Sequence, residues 1–322
     1  MSKYFSFCHI SDLHLSIQAN QQSIKDIFSW YQCKKNNDTK KYGRFTTYER
    51  VKLEALCRFI YLNKDKFDFI LITGDISSSA SEDDLNSALS IIKPGEKSKL
   101  WIKDTPNFYD NSFYLAHKPI ILLPGNHDRI DYDGLTSFKY SDKFDEIFKY
   151  FWVPSTPSNK ISAKSIFVPT INETINLLTI DFSLNEGRFK NINIGEGYVE
   201  EDIINELDRI LKFYEDNKIF YIIALHYPPK SENVSTYLKL NNEEKFINLL
   251  NKYKVPFIFS GHSHIEEHKL IPNTSIRNYC SDSSTSFCEN SNINIFKIDF
   301  ELNKIIDKKT FKWSSLKRNF YE

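Results

Sequence analysis

A chain of 322 residues can bury a large core, and 41% hydrophobic with 26% charged residues is the make-up of a globular protein, not a disordered or fibrous one. Its 42 basic and 42 acidic residues cancel, which disfavours a protein that grips nucleic acid through bulk positive charge. No apolar run approaches the ~20 residues needed to span a bilayer. The apolar stretch 4–10 is too short for a secretory signal and runs straight into Asp12 and His14.

Short apolar runs alternate with longer amphipathic ones, the pattern of an α/β protein. In chain order, residues 4–10 read as a strand, followed by an insertion at 15–47 that carries the basic cluster Lys34, Lys35, Lys40, Lys41 and Arg44, read as a solvated loop. A helix over 48–63, a strand over 68–73 and a helix over 81–92 lead to a second insertion at 93–118. Then come a strand over 119–123, a helix over 143–152 and a strand over 177–180. The helix over 200–217 has an acidic start and one apolar stripe of Ile203, Leu207, Ile210 and Leu211. A strand over 219–225, a helix over 242–254 and a strand over 256–260 follow, and 292–300 with 304–311 form a hairpin. There is no repeat and no Pro/Gly/Ser-rich linker, so the chain reads as one domain, 1–322. The five cysteines (Cys8, Cys33, Cys57, Cys280 and Cys288) show no Cys-x-x-Cys spacing. Cys280 and Cys288 could meet in a loop, but free thiols in a reducing compartment are the simpler reading, which places the chain in the cytoplasm.

Glycine and histidine are scarce, nine and eight in the chain, yet five of the histidines and three of the glycines fall at strand ends. The places are His9-Ile10-Ser11-Asp12-Leu13-His14, Gly74-Asp75, Gly125-Asn126-His127-Asp128, His226 and Gly261-His262-Ser263-His264. In an open α/β sheet, ligands bind beyond the carboxyl ends of the strands. Asp12 and Asp75 brought together would repel, a difficulty that divalent cations remove. With His14, His226, His262, His264 and the Asn126 amide oxygen they form a mixed nitrogen and oxygen set. That set suits Mn, Fe, Zn, Co or Ni better than an all-oxygen Ca or Mg site. Seven ligands are enough for two metals. Taken singly, Asp75 after glycine or Gly125-Asn126 could be simple turns.

Asp-x-His, Gly-Asp, Gly-Asn-His-Asp, a lone His and Gly-His-x-His, in this order from Phe5 to Ile271, resemble the calcineurin-like metallophosphoesterase family. The stretches 9–15 and 70–80 resemble bacterial members of its cyclic-nucleotide phosphodiesterase branch. The resemblance implies a four-layer α-β-β-α sandwich with a dinuclear centre at the carboxyl ends of the strands. It implies that Asp12, His14 and His264 hold one metal, that Asn126, His226 and His262 hold the other, and that Asp75 bridges them. A metal-bridging hydroxide would attack a phosphoester in line, with His127 stabilising charge or protonating the leaving oxygen. Asp128 would accept from the His127 ring and fix its tautomer. The expected substrate is a small phosphodiester; a phosphomonoester is the alternative, and a nuclease is disfavoured by the neutral charge although residues 34–44 keep it open.

Other residues read more plainly. His9 is out of phase with Asp12 and belongs to the core, while His117 and His268 read as surface residues. Arg129 could reach a substrate phosphate or form a surface salt bridge. Tyr227 could stack on a base, though packing is the commoner role. Segments 15–47, 130–142 and 227–240 follow strands and should overhang the site, the first as part of the substrate wall; 93–118 should lie on the far edge. Oligomeric state is not encoded in any motif.

Overall fold

The computed structural model of the chain describes residues 3–16, 48–93, 112–133, 137–183, 195–231, 238–285 and 290–322. Most of both expected insertions, residues 17–47 with the basic cluster and 94–111, lies outside them, as do Cys33 and Cys288.

The strands are β1 (Tyr4–Ile10), β2 (Phe69–Ile72), β3 (Ile120–Leu122), β4 (Ile130–Asp133), β5 (Ser137–Tyr140), β6 (Ile161–Val168), β7 (Glu173–Ile180), β8 (Gly197–Tyr198), β9 (Tyr221–Leu225), β10 (Leu240–Asn241), β11 (Phe257–Ser260), β12 (Glu267–Leu270), β13 (Arg277–Cys280), β14 (Asn292–Asp299), β15 (Lys304–Ser314) and β16 (Asn319–Tyr321). The helices are α1 (Arg50–Leu62), α2 (Glu82–Ile92), α3 (Asn126–Arg129), α4 (Lys143–Ile147), α5 (Glu201–Asp216) and α6 (Glu243–Lys252). One six-stranded sheet runs β16-β15-β14-β1-β2-β3 and the other β12-β13-β11-β9-β7-β6. In the first, β1, β2 and β3 are parallel. In the second, β7, β9, β11 and β13 are parallel.

Side-chain alternation explains the layering. Ile175 and Leu177 of β7, Ile222 and Ala224 of β9, and Phe257 and Phe259 of β11 share one core with Phe5 and Phe7 of β1. The Phe7 ring meets Phe259 edge-on at 5.0 Å. The intervening residues Leu178, Ile180, Ile223, Leu225 and Ile258 pack in a second core with Ile203, Leu207 and Leu211 of α5 and Phe246 and Leu250 of α6. On the first sheet, α1 and α2 supply Leu53, Leu56, Ile60, Leu85 and Ile91 to the larger core. The order is helices, sheet, sheet, helices, the expected sandwich. Because both sheets are covered on both faces, β2 and β3 are uninterrupted apolar runs, and β11 is apolar up to its last residue, the buried Ser260.

Local signals set several boundaries. Ser81 caps α2 by accepting from the Asp84 N–H at 3.3 Å, and Glu82, Asp83 and Asp84 fill the first turn. The helix expected over 143–152 ends at Ile147. Its continuation is a series of turns in which Phe144 stacks on Phe148 at 4.6 Å, and Pro154 disfavours helical backbone just before it. Segment 130–142, expected as an overhanging loop, contains the β4–β5 hairpin. Strand β12 falls where a strand around His268 was expected, while β6, β8, β10, β13 and β16 have no counterpart in the sequence reading. Among the described residues no helix is long and apolar enough to cross a membrane.

Candidate metal centre

All the parallel strands that carry the motifs end at one rim, and the motif residues meet there across the seam between the sheets. Asp12, His14, Asp75 and Asn126 come from the ends of β1, β2 and β3; His226, His262 and His264 come from the ends of β9 and β11. The seam is closed by His226 Nδ1 at 2.7 Å from the Thr73 carbonyl and by the His262 N–H donating to Asp12 Oδ2 at 2.9 Å.

The backbone here is unusual. Asp12, His14, Asp75, His262 and His264 all have φ between 48° and 71°. Left-handed backbone is uncommon outside glycine and concentrates at functional sites. It lets the chain reverse within a residue, so Asp12 and His14 both point to the rim. Two glycines make the close approach possible. Gly74 has φ of 96°, and a Cβ there would lie 2.4 Å from His226 Nδ1. At Gly261 a Cβ would lie 1.9 Å from Ser11 Oγ and 2.6 Å from Asp12 Oδ2.

Each carboxylate is pinned through one oxygen and presents the other. Asp12 Oδ2 accepts from His262 N, while Oδ1 lies 3.2 Å from His264 Nε2 and 3.8 Å from His14 Nε2. Asp75 Oδ1 accepts from His127 N at 2.9 Å, while Oδ2 lies 3.3 Å from His226 Nε2. Ligand atoms converge in three overlapping clusters: Asp12, His14 and His264; His14, Asp75 and His127; and Asp75, His226 and His262. Within each cluster these atoms lie within 4.8 Å of one another.

The ring tautomers point the same way. His226 gives its Nδ1–H to Thr73, and His262 faces the Leu238 carbonyl with Nε2 at 3.1 Å. The remaining nitrogens, His226 Nε2 and His262 Nδ1, therefore turn lone pairs toward each other at 3.1 Å, beside Asp75. That arrangement calls for a cation, either a proton or a metal. Asp12 Oδ1, Asn126 Oδ1 and His14 Nδ1 are buried without a hydrogen-bond partner, although buried polar atoms are nearly always satisfied. The donor set thus fits metal ions.

Charge follows geometry. Burial pushes the Asp75 carboxyl up, but His226, His127 and His14 outweigh it and hold the group well below the usual carboxylate range. Asp12 is likewise held low by His264 and His226 against burial and the Asp75 charge. Burial would lower His226, yet Asp75 and Asp12 push it up to about 9. Burial and the neighbouring imidazoles push His14 and His262 down to about 3. Two of the four imidazoles are therefore neutral, as metal ligation requires.

His127 lies close to His14, its ring edge-on at 4.9 Å. Asp128 does something other than expected. The Nδ1 of His127 lies 2.9 Å from the Ser78 carbonyl. Asp128 accepts through both oxygens from Gly125 N, Ile76 N, Ser77 N and Ser77 Oγ at 2.6–3.2 Å. It ties the Gly-Asp loop to the Gly-Asn-His-Asp turn, and a carbonyl takes the orienting role assigned to it. Burial and the Asp75 charge push Asp128 up to about 6.

Arg129 is neither at the substrate nor in a surface ion pair. It is buried, donating from Nε to Asp181 Oδ2 at 2.9 Å and from Nη2 to Asp145 Oδ1 at 2.7 Å. Tyr227 is fully buried against His226 and His262, which excludes base stacking. His9 is a core residue, with Nε2 2.9 Å from Thr73 Oγ1, and His117 is exposed. Contrary to expectation, His268 is half-buried, set between Lys308, Glu266 and the Tyr279 ring. Sequence reasoning missed the run 281–285. Although wholly polar it is buried, and Ser283 Oγ and Thr285 Oγ1 donate to the Asp12 and Leu13 carbonyls, both at 2.6 Å. Hydroxyls able to satisfy a strained loop are the only signal it carried.

The profile of the calcineurin-like phosphoesterases matches residues 5–266. Among solved structures, a dimetal phosphatase from Danio rerio is 12% identical, with 96% of this chain and 99% of that one covered and a TM-score of 0.56. A purple acid phosphatase from yellow lupin (Lupinus luteus) seeds is 12% identical at a TM-score of 0.51, covering 96% of this chain and 54% of that one. At such identity these likenesses speak of fold. No curated protein sequence matches. The profile spans every strand end that contributes to the rim, and the chain belongs to the calcineurin-like phosphoesterases, a family of phosphoester hydrolases that typically bind two divalent metals.

Proposed function

We propose that the chain, as one domain over residues 1–322, is a two-metal phosphodiesterase acting on a small phosphodiester. Asp12, His14 and His264 would hold one metal, Asn126, His226 and His262 the other, and Asp75 would be shared. The observation that carries this reading is the overlap of the three clusters, in which Asp75 belongs to two and His14 links the third. Two ions bound there would supply Lewis acidity to the phosphoryl oxygens and draw the pKa of water toward neutrality. Mn, Fe, Zn, Co and Ni all suit the set.

The chain's own residues do the rest. Asp12 and Asp75 each spend one oxygen on a backbone N–H and keep the other for the centre. With Nδ1–H given to the Ser78 carbonyl, His127 is free to act through Nε2; as the imidazolium, protonated on both nitrogens, it would pass the Nε2 proton to the departing oxygen and keep the one on Nδ1. Arg129, the cation next to the Gly-Asn-His-Asp turn, is taken up by Asp181 and Asp145. Among the described residues, substrate charge then falls on the metals and imidazoles, which favours a singly charged diester over a doubly charged monoester. Cys8, Cys57 and Cys280 are buried free thiols, in keeping with a cytoplasmic setting.

A paired assay tests this. The Mn-reconstituted chain is offered bis(p-nitrophenyl) phosphate and p-nitrophenyl phosphate, and the expected result is a higher kcat/KM on the diester. The two neighbours named above are phosphatases, and a higher kcat/KM on the monoester would put this chain with them instead.

A further inference from the structure

Asp181 follows β7 directly and is fully buried. Its Oδ2 accepts from Arg129 Nε at 2.9 Å and Lys160 Nζ at 3.2 Å, and its Oδ1 accepts from Ser183 N at 2.8 Å. Burial pushes the carboxyl up, but Lys160 and Arg129 hold it below the usual range. Two arms of this hub, Arg129 and Ser183, lead to the metal centre. Arg129 closes the turn of α3 that begins at Asn126. Ser183 Oγ accepts from Tyr227 Oη at 3.4 Å. The Tyr227 ring packs on His262 at 4.7 Å and His226 at 5.1 Å. A Cβ on Gly197 would strike that ring at 2.8 Å, so the ring is backed from behind. Asn126, His226 and His262 thus hang from one carboxylate, although they come from both sheets. The Asp12 loop is supported from elsewhere, by Ser283, Ser284 and Thr285.

We propose that Asp181 is a positioning residue that sets Asn126, His226 and His262 as one half of the metal centre, and that it bears on the half made by Asp12, His14 and His264 far less, through the main-chain His262 N–H on Asp12. The proposal rests on the two-metal reading above. Outer residues that orient metal ligands are worth roughly 10–100-fold in affinity.

The test is calorimetric titration of the purified chain with Mn, with no activity needed. His14→Ala and His262→Ala serve as backgrounds in which only the second or only the first half remains. The chain itself should bind two ions and each background one; a chain that binds fewer than two defeats the two-metal reading, separately from this proposal. Asp181→Asn is then added to each background. Expected is a loss of roughly tenfold or more in the His14→Ala background and under about threefold in the His262→Ala background. Equal losses in both, or none in either, would overturn the proposal. Asp181→Asn takes from Lys160 its partner Asp181 and leaves Arg129 with Asp145 alone. The triple variant Arg129→Met, Lys160→Met, Asp181→Leu removes all three charges, a replacement folds usually tolerate, and should give the same selective loss. Tyr227→Phe should give a smaller loss of the same selectivity.

Discussion

Behind Asp12 and His14 run the hydroxyls of Ser283 and Thr285, neutral donors to main-chain carbonyls. Behind Asn126 and His226 lie Arg129, Lys160 and Asp181, three buried charges. The first flank is held by hydroxyls given to the loop's own carbonyls, so its geometry is little affected by charge. The second joins segments from two sheets, and among the described residues no backbone pairing spans them; a buried ion pair supplies the rigid link, at the risk that losing one partner strands the other. One centre is therefore supported in two ways, and the two halves should fail differently.

The largest effect should come from the residue common to both halves. Asp75→Asn should cut turnover by well over about a hundredfold and lower the bound metal, read by elemental analysis, since even outer residues reach that range. His127→Ala belongs to neither half. It should lower kcat by roughly 10²–10⁴ while both metals stay bound, with a smaller loss for a p-nitrophenolate leaving group than for an alkoxide, because the former needs no proton. Loss of metal in that variant would make His127 a ligand. Gly261→Ala should weaken the first half through Asp12 and lower the unfolding free energy by about 1–3 kcal/mol in a urea titration, as its Cβ has no room beside Ser11 and Asp12.

Charge gives a pH signature. In the chelator-treated chain, His226 at about 9 contributes stability that is complete below 6.5 and lost as pH rises through 9. His14 and His262, at about 3 against 6.5, contribute stability present above 6.5 and lost as pH falls toward 3. The urea midpoint should therefore peak near pH 6.5, and a flat profile between pH 5 and 9 would contradict this arrangement of charges. An effect on stability alone, of the same size as that of Gly261→Ala, belongs to the neutral flank. Ser283→Ala should cost about 1–3 kcal/mol, the desolvation of the Asp12 carbonyl left without its donor.

The α/β elements and their rim were legible because they depend on local patterns, and the four-layer order came with the family resemblance that the motifs carry. Apolar runs such as Phe69–Ile72 identify buried strands, and the motif residues follow them directly. The supports were not legible. Nothing local ties Asp181 to Arg129, 52 positions apart, or Ser283 to Asp12, 271 apart. The run 281–285 is polar and reads as surface until the carbonyls it satisfies are known. For Asp128, adjacency to His127 suggested a contact, but a short helical turn points consecutive side chains apart. Strand β6 was missed because its alternation is broken by Lys164 and Ser165.

The central claim is a centre of two metals sharing Asp75. Electron paramagnetic resonance of the Mn-loaded chain tests it most directly. The account expects two Mn per chain with an exchange-coupled spectrum that is lost in Asp75→Asn. A wild-type chain that saturates with one Mn and an isolated six-line signal would contradict it.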